Sequence, residues 1–403
     1  MAKTLPELIE AYQAIYYMED PSVIPLLCSV VIAAKMQGDP VWLALVGGSS
    51  SGKTELINAV SGVDYVEQIS MVTPNTFLSG ARVVKGQETS LLMKLPPEFV
   101  LVFKDFTSIL SMNKDDLKEI MAQFRELFDG RMDKKTGMGK NLTWKGKCSV
   151  IAGTTEEIHV KEQLFSTAGV RFVYFTLPLQ DRIKTTKRAA QIAEKLPVYR
   201  ELIQREFTEY INTMLPLALN KSWMLSEEVS DKIIAVADFA TRARSPVVRD
   251  YRGNMEMVLS QEMPMRFSTQ LHNIARAEIA QNNGVLSPTS EMNLYKIAFD
   301  SIPKGRYLIL KEMFVYDYIT TKGLAVKLRF QTERVRMWLE ELNWLGVVER
   351  GASTSSLGDR WNLTTETRQV LGEYHKLQYQ GGGLEARGVD DEAQSLEETF
   401  RNL

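Results

Sequence analysis

The sequence predicts an α/β fold in which a largely parallel sheet is sandwiched by helices, followed by a mainly helical segment and a smaller C-terminal domain. Three observations predict it. Four apolar strand candidates, Val41–Val46, Phe99–Phe103, Cys148–Ala152 and Phe172–Phe175, alternate with helical stretches such as Glu55–Val60 and Leu117–Phe128, the pattern of a parallel sheet covered on both faces. A glycine-rich turn joins the first of these strands to the first of these helices. Residues 181–280 then carry helical runs at Ile183–Glu194, Leu202–Met214, Val229–Ala243 and Phe267–Gln281 and lack strand signals.

Taken in order, Leu8, Ile9, Tyr12 and Ile15, and then Val23–Ala34, read as two helices that end at the Gly38-Asp39-Pro40 turn. The alternating segment runs from residue 41 to about 180, and the helical segment from 181 to 285. After the Asn282-Asn283-Gly284 break, Leu294–Ile302, Tyr307–Tyr316, Gly323–Arg329 and Thr332–Leu345 look helical, and Val347–Arg350 and Asp359–Leu363 look like short strands around a Gly/Ser/Thr turn. That order of elements, over 286–380, is a winged helix-turn-helix. Residues 381–403 hold six acids and two arginines in the last twenty positions with little apolar periodicity, which predicts a flexible acidic tail.

A chain of 403 residues, 44% apolar and 24% charged, is an ordinary globular sequence of two or three domains. Lys and Arg total 48 against 50 Asp and Glu, so any contact with nucleic acid has to come from local basic patches. The longest apolar stretch, Val23–Ala34, falls well short of the ~20 residues that span a bilayer. The N-terminal MAKTLPELIEAYQ has no apolar signal core. Two distant cysteines, Cys28 and Cys148, and three scattered histidines, His159, His272 and His375, give no metal-ligand or catalytic-triad spacing. These features describe a reduced, cytoplasmic protein without a transmembrane helix.

Gly47-Gly48-Ser49-Ser50-Ser51-Gly52-Lys53-Thr54 fits G-x-x-x-x-G-K-[ST] and lies between a buried strand and a helix that opens at Glu55. Small residues let backbone N–H groups close around phosphates, Lys53 brings a cation to the β- and γ-phosphates, and the Thr54 hydroxyl is placed to ligate Mg²⁺. The acid that normally ends a neighbouring strand falls in Phe99-Val100-Leu101-Val102-Phe103-Lys104-Asp105-Phe106. Two registers compete there. Asp105 is the metal-side aspartate with no glutamate after it, or Lys104 takes the aspartate position and Asp105 replaces the glutamate that orients water. One acid of the usual pair is missing in either register, with Glu88 and Glu98 as candidates to compensate.

Residues 131–147 carry six basic side chains, Arg131, Lys134, Lys135, Lys140, Lys145 and Lys147, against Asp133 alone, a net +5 in 17 residues. Thr136-Gly137-Met138-Gly139 supplies a turn, so two short strands project as a hairpin with lysines at its tip. Lysines so placed suit contact with nucleic-acid phosphates irrespective of sequence. In the helix-turn-helix, Gln331, Thr332 and Arg334 face outward from the start of the second helix, toward a DNA groove, while Lys322, Arg329, Arg350 and Arg360 are available to phosphates. Trp338, Trp344 and Trp361 read as core. Arg242, Arg244 and Arg249 form a further cluster, nucleotide-facing or solvated.

Over residues 40–280 the sequence resembles the branch of AAA+ ATPases that contains the minichromosome-maintenance helicases and the MoxR-type ATPases. Lys104-Asp105-Phe106 is similar to that family's Asp-Glu-Phe, which favours the second register, and the basic hairpin stands where the family has its pre-sensor pore hairpin. Gly153-Thr154-Thr155 resembles sensor 1, with Thr155 helping to position water. Gly169-Val170-Arg171-Phe172 resembles the segment that lends an arginine finger to a neighbouring subunit, and Pro264-Met265-Arg266-Phe267 resembles the start of the sensor-2 helix. The Lys-Asp-Phe-Thr segment together with the terminal winged helix is most similar to phage and mobile-element ATPases.

The resemblance implies an AAA+ P-loop NTPase core with a helical lid and a C-terminal winged helix. It implies a homo-oligomeric, hexameric ring that binds ATP and Mg²⁺ and acts on single- or double-stranded DNA as a helicase or replication-initiation ATPase. Lys53, Asp105, Thr155, Arg171 and Arg266 would form the catalytic set. A MoxR-like remodelling ATPase, with the winged helix docking a protein, and a nucleotide-gated DNA-binding regulator with weak hydrolysis are the alternatives.

Overall fold

In the computed structural model, which describes residues 4–79, 89–135, 141–159, 171–250, 255–258, 261–351 and 359–380, the chain opens with α1 (Leu5–Ile15). Thr4 and Glu7 close a capping box around its first turn, and Leu8, Tyr12 and Ile15 form its buried stripe. α2 (Val23–Ala33) is buried on every side. That follows from its all-apolar circumference, broken only by Ser29, whose hydroxyl donates to the Pro25 carbonyl at 2.8 Å.

Five strands form one parallel sheet: β1 (Trp42–Val46), β2 (Val66–Ile69), β3 (Glu98–Phe103), β6 (Lys147–Thr154) and β7 (Val173–Thr176), in the order β2-β3-β6-β1-β7. β1 is apolar along its whole length, and β3 and β6 are buried after their first residues, because both faces are covered. Trp42, Ala44 and Val46 project toward α5 (Lys114–Phe128) and share a core with its Leu117, Ile120, Phe124, Leu127 and Phe128. By strand alternation Leu43 and Leu45 project to the other face. α3 (Lys53–Val60) contacts β6 and, like α1 and α2, packs on the long helix α7 (Leu196–Leu219), which follows α6 (Arg182–Ile192). Between β3 and α5 sits a single turn of helix, α4 (Thr107–Leu110).

Trp42 is the hub of the α5 side. Its ring lies edge-on or tilted to Phe124, Phe128 and Phe172, with centroids 5.3–5.6 Å apart. Its indole N–H donates to the Cys148 carbonyl at 2.8 Å. The basic segment forms β4 (Arg131–Lys135) and β5 (Asn141–Lys145), an antiparallel pair as the charge pattern and turn predict. The turn itself and Lys140 lie outside the described residues.

The chain divides into two units, Met1–Ser230 with Arg266–Asn293, and Asp231–Met265 with Leu294–Leu403. The first holds the sheet and most of α9 (Met265–Gln281). The second holds most of α8 (Glu227–Arg244), α11 (Lys304–Val315), α12 (Thr321–Leu328), α13 (Thr332–Trp344) and α14 (Thr365–Gln380), with the end of α10 (Pro288–Asp300). Its short strands β10 (Ile319–Thr320), β11 (Val348–Arg350) and β12 (Arg360–Leu363) form an antiparallel sheet in the order β10-β12-β11. Leu324 and Leu328 of α12 and Val335, Leu339 and Leu342 of α13 are buried, as their spacing predicts.

Several elements depart from the sequence reading. Residues 181–280 do contain strands, β8 (Val247–Arg249) and β9 (Met255–Val258), paired as an antiparallel hairpin. They are too short for a period of two to register against the neighbouring helices. β2 was not anticipated because it offers only Val66 and Ile69 around half-buried Glu67 and Gln68. Trp361 is core, with its N–H on the Thr321 hydroxyl at 2.9 Å. Trp344, expected there too, is 53% exposed, because it ends α13 on the side away from Leu339 and Leu342.

Cys28 and Cys148 are free, buried thiols. None of the described helices is long and apolar enough to cross a membrane.

Two predictions follow from this packing. Trp42→Ala empties the centre of the aromatic layer and is expected to cost about 3–5 kcal/mol in urea unfolding, against far less for Trp42→Phe. Glu278 of α9 is wholly buried, and burial pushes its carboxyl from 4.5 up to about 7 against the pull of the Ser290 and Ser29 hydroxyls. Across that window the folded chain holds a proton the unfolded chain has released, so this residue destabilises the fold increasingly as pH rises through about 7. Thermal midpoints of Glu278→Gln should gain on the wild type from pH 5 to pH 8, and parallel pH profiles would refute the assignment.

Candidate functional site

β1 ends at Val46, and Gly47–Thr54 turns from it into α3. Two residues in the loop have left-handed backbones, Ser50 at φ +61° and Gly52 at φ +87°. Gly52 suits that angle, and a Cβ added to it or to Gly48 would enter open space. The Lys53 ammonium lies inside the loop, donating to the Gly47 carbonyl at 2.6 Å and the Gly48 carbonyl at 2.7 Å, with the Ser51 hydroxyl at 3.2 Å. Ser49, Ser50 and Thr54 are exposed at the loop's rim. Burial lowers the Lys53 pKa, and the negative charge of Asp105 opposes that shift.

The strand ending in Lys104-Asp105 is not the neighbour of β1. β6 runs between them, and its tip is stitched to both. Gly47 N–H donates to the Thr154 carbonyl at 3.2 Å, and Phe106 N–H donates to the Gly153 carbonyl at 2.7 Å. Gly153 permits this closeness, since a Cβ there would stand 2.7 Å from the Lys104 carbonyl oxygen and 2.9 Å from Ile57 Cδ1. Asp105 accepts the Thr107 N–H at 3.0 Å. The Thr107 hydroxyl accepts the Thr155 N–H at 3.2 Å and lies 3.5 Å from the hydroxyls of both Thr154 and Thr155. Thr107 and Thr154 lie in the Lys-Asp-Phe-Thr and Gly-Thr-Thr segments that the sequence singles out, but neither is given a role there. A Thr at a helix start is common, and only the folded strand order shows what it meets.

The acids proposed to compensate for the missing carboxylate do not do so among the described residues. Glu98 begins β3 and pairs in register with Lys147, at the end of the sheet remote from the loop. Glu88 lies outside the described residues. Glu55 is in the first turn of α3, but its carboxylate is taken by both arms of the Arg200 guanidinium from α7 and by the Tyr16 hydroxyl at 3.0 Å. Burial pushes Glu55 up, yet the Arg200 and Tyr16 hydrogen bonds outweigh it and hold the carboxyl below its ordinary range.

Arg171 and Arg266 meet at the opposite end of the sheet. The Arg171 guanidinium lies 5.5 Å and that of Arg266 5.9 Å from the centroid of the same Phe128 ring. The Gln270 side chain joins the Arg171 carbonyl, at 2.9 Å, to the Trp42 N–H, at 2.8 Å, where β1 begins. Burial, and next the like charge of Arg266, lower the pKa of Arg171, against which Asp129 stands 3.4 Å away. A five-residue strand separates this pair from the loop, roughly 17 Å at ~3.3 Å per residue.

The hairpin's cations are not equivalent. Arg131 pairs with Asp133, and Lys134 donates to the Pro74 carbonyl at 3.1 Å and the Asn75 side chain at 2.9 Å. Lys147 caps the end of α2 through the Ala33 and Met36 carbonyls, and burial pushes its ammonium down to about 8. Lys135 and Lys145 are exposed. In the second unit Gln331, Thr332 and Arg334 are exposed at the start of α13. Beside them Arg336 is held by Glu333 and Glu340. The 242–249 arginines are structural: Arg242 pairs with Asp238, Arg244 with Glu262, and Arg249 with Glu340 and Glu341.

Fold and site together define a mixed α/β domain whose five-stranded parallel sheet carries a phosphate-loop motif at its carboxyl edge. Comparison with known proteins finds no family model that matches the chain and no curated protein that matches it. The loop fits a nucleotide's phosphates in conformation and charge. Mg²⁺ asks little more of it, since this ion keeps several waters and takes one or two protein oxygens beside the phosphates. Among the described residues there is no cluster of three metal-ligating side chains.

Because a Cβ at Gly153 would stand 2.7 Å from the Lys104 carbonyl oxygen, Gly153→Ala should separate the tips of β3 and β6. The expected cost is about 1–3 kcal/mol of stability by thermal or urea unfolding. A variant as stable as wild type would show that the contact is slack.

Proposed function

We propose that this chain is an AAA+ ATPase, a ring-forming motor that binds ATP·Mg²⁺ and acts on DNA in the replication of a phage or mobile element. The observation that carries this reading is the meeting of Lys53, Asp105 and Thr155 at three adjacent strand tips, with β6 between the strands that bear the other two. In this reading the loop N–H groups and Lys53 hold the phosphates, Thr54 ligates Mg²⁺, Asp105 orients water and Thr155 steadies it. Mg²⁺ would draw charge off the phosphate oxygens as the bridging bond breaks.

Arg171 and Arg266 stand too far from their own loop to serve it. Their place at the other end of the sheet suits a neighbouring subunit's γ-phosphate, which supports a ring over a monomer. The helices after the sheet act as the lid, and α11–α13 with β10–β12 as the winged helix. Lys135, Lys140 and Lys145 would track the DNA backbone, with Lys134 placed to exchange its loop partners for a phosphate.

One observation favours a second reading, a slow nucleotide switch: Lys104 occupies the place of an acid, leaving Asp105 as the carboxylate whose charge acts on Lys53 among the described residues.

ATP turnover with and without single-stranded DNA separates these. In the motor reading DNA stimulates wild type, Lys53→Ala is inactive, and the Lys134→Ala/Lys135→Ala/Lys140→Ala variant keeps basal turnover but loses stimulation. ATP binding with negligible turnover would select the switch. Brisk turnover indifferent to DNA would assign the motor to a protein substrate.

A further inference from the structure

We infer that Thr107 is a positioning residue for hydrolysis, replacing the second carboxylate by setting the Asp105 side chain and the Thr155 main chain from a single side chain and its own N–H. This rests on the ATPase reading above and deepens it.

Three features of the structure bear it. First, Thr107 touches both partners: its N–H fixes Asp105 Oδ1 at 3.0 Å, and its hydroxyl accepts the Thr155 N–H at 3.2 Å. Second, the same hydroxyl lies 3.5 Å from the Thr154 and the Thr155 hydroxyls, and in each pair either oxygen can be the donor. Those two contacts are long, as hydrogen bonds in a site without substrate commonly are, and they tighten if a water or phosphate oxygen enters the group. Third, the group is anchored on rigid backbone. The Thr107 carbonyl accepts from Ser111 N–H at 3.0 Å and from its hydroxyl at 2.9 Å, and the Thr154 carbonyl holds Gly47 of the phosphate loop.

A continuous path therefore runs from the acid through Thr107 to the loop. An ordinary pair of acids spends one on the metal and one on the water. Here Lys104 stands in place of one, and the Thr107 hydroxyl gathers those of Thr154 and Thr155 beside Asp105. In the step itself water bonds to the γ-phosphorus, the β–γ bridging oxygen leaves with ADP, and the water's proton passes by Asp105 to the phosphate released. Asp105 does this from one fixed rotamer only if its other oxygen is held, and Thr107 N–H is what holds it. The attacking water needs an acceptor and a donor on its far side, which the oriented Thr155 supplies.

The test is steady-state ATP turnover and direct binding of a fluorescent ATP analogue by the full chain, comparing wild type, Thr107→Val and Thr107→Ser. Val keeps the shape and the N–H but lacks the hydroxyl, while Ser keeps the hydroxyl. The expected result is a kcat lowered about tenfold or more in Thr107→Val with KM and analogue affinity within about twofold, and Thr107→Ser close to wild type. Unchanged thermal midpoints guard against a folding defect, and if Val proves unstable, the Ser-to-Ala comparison at the same position carries the same readout. Equal kcat in all variants, or a loss confined to KM, overturns the positioning role while leaving the ATPase reading intact. A wild type that binds the analogue but does not turn over ATP overturns both.

Discussion

The rest of this structure depends on one constraint, that β6 lies between β1 and β3 in a sheet whose strands all run the same way. A parallel sheet gathers every strand's carboxyl end on one edge, so residues distant in sequence become neighbours there without any loop having to carry them. The Gly47 N–H on the Thr154 carbonyl and the Phe106 N–H on the Gly153 carbonyl are the consequence. They fix the relative height of three loops to within a hydrogen bond's tolerance. A βαβ crossover that placed the acid-bearing strand directly beside β1 would leave the threonines outside the group.

The two edges of the sheet are electrostatically different, and the buried aromatic layer between them keeps them so. At the carboxyl edge Lys53 faces Asp105. At the amino edge Arg171 and Arg266 crowd one aromatic face, with Asp129 3.4 Å from Arg171. Holding two guanidiniums together in partial burial is unfavourable unless an aromatic ring face and acidic partners offset it. Trp42 binds the edges into one body: its side chain packs on the ring that carries the arginines, while its strand leads to the loop four residues on. Under the proposed reading, a subunit carries a receptor for phosphate on one edge and a donor of positive charge on the other. That polarity is what a closed ring of identical chains needs.

Much of this was legible in the sequence, and the illegible parts share a cause. The phosphate loop was readable because its constraint is local: small residues, a lysine and a hydroxyl within eight positions after an apolar strand. α1, α2 and α5 were readable because an apolar stripe at helical spacing is local too. What escaped were partnerships across long separations. Glu55 has the chemistry of a cofactor ligand, but Tyr16 and Arg200 claim its carboxylate from 39 and 145 residues away. The net charge of residues 131–147 is legible, yet its division into paired Arg131, tethered Lys134, helix-capping Lys147 and exposed Lys135 is not. Likewise the arginines of 242–249 looked alike in the sequence, and each has its own acid in the fold. Short strands such as β8 and β9 fail for a different reason, since three or four residues do not establish a period.

The charge at the carboxyl edge follows from these partnerships. Glu55 is neutralised by Arg200, so its negative charge does not reach the loop's mouth undiminished. Lys104 adds a cation near it, and the attraction is enough to help hold Glu55 ionised. Against Lys53 and Lys104 there remains Asp105 among the described residues. Such an edge is more positive than one with two free acids, which favours retention of a polyanion and demands that the lone carboxylate be well oriented. The N–H of Thr107 holds one Asp105 carboxylate oxygen on the α4 side. The start of a four-residue helix thus carries a task that longer elements normally share, because its first N–H groups are unpaired within the helix and available to an acid.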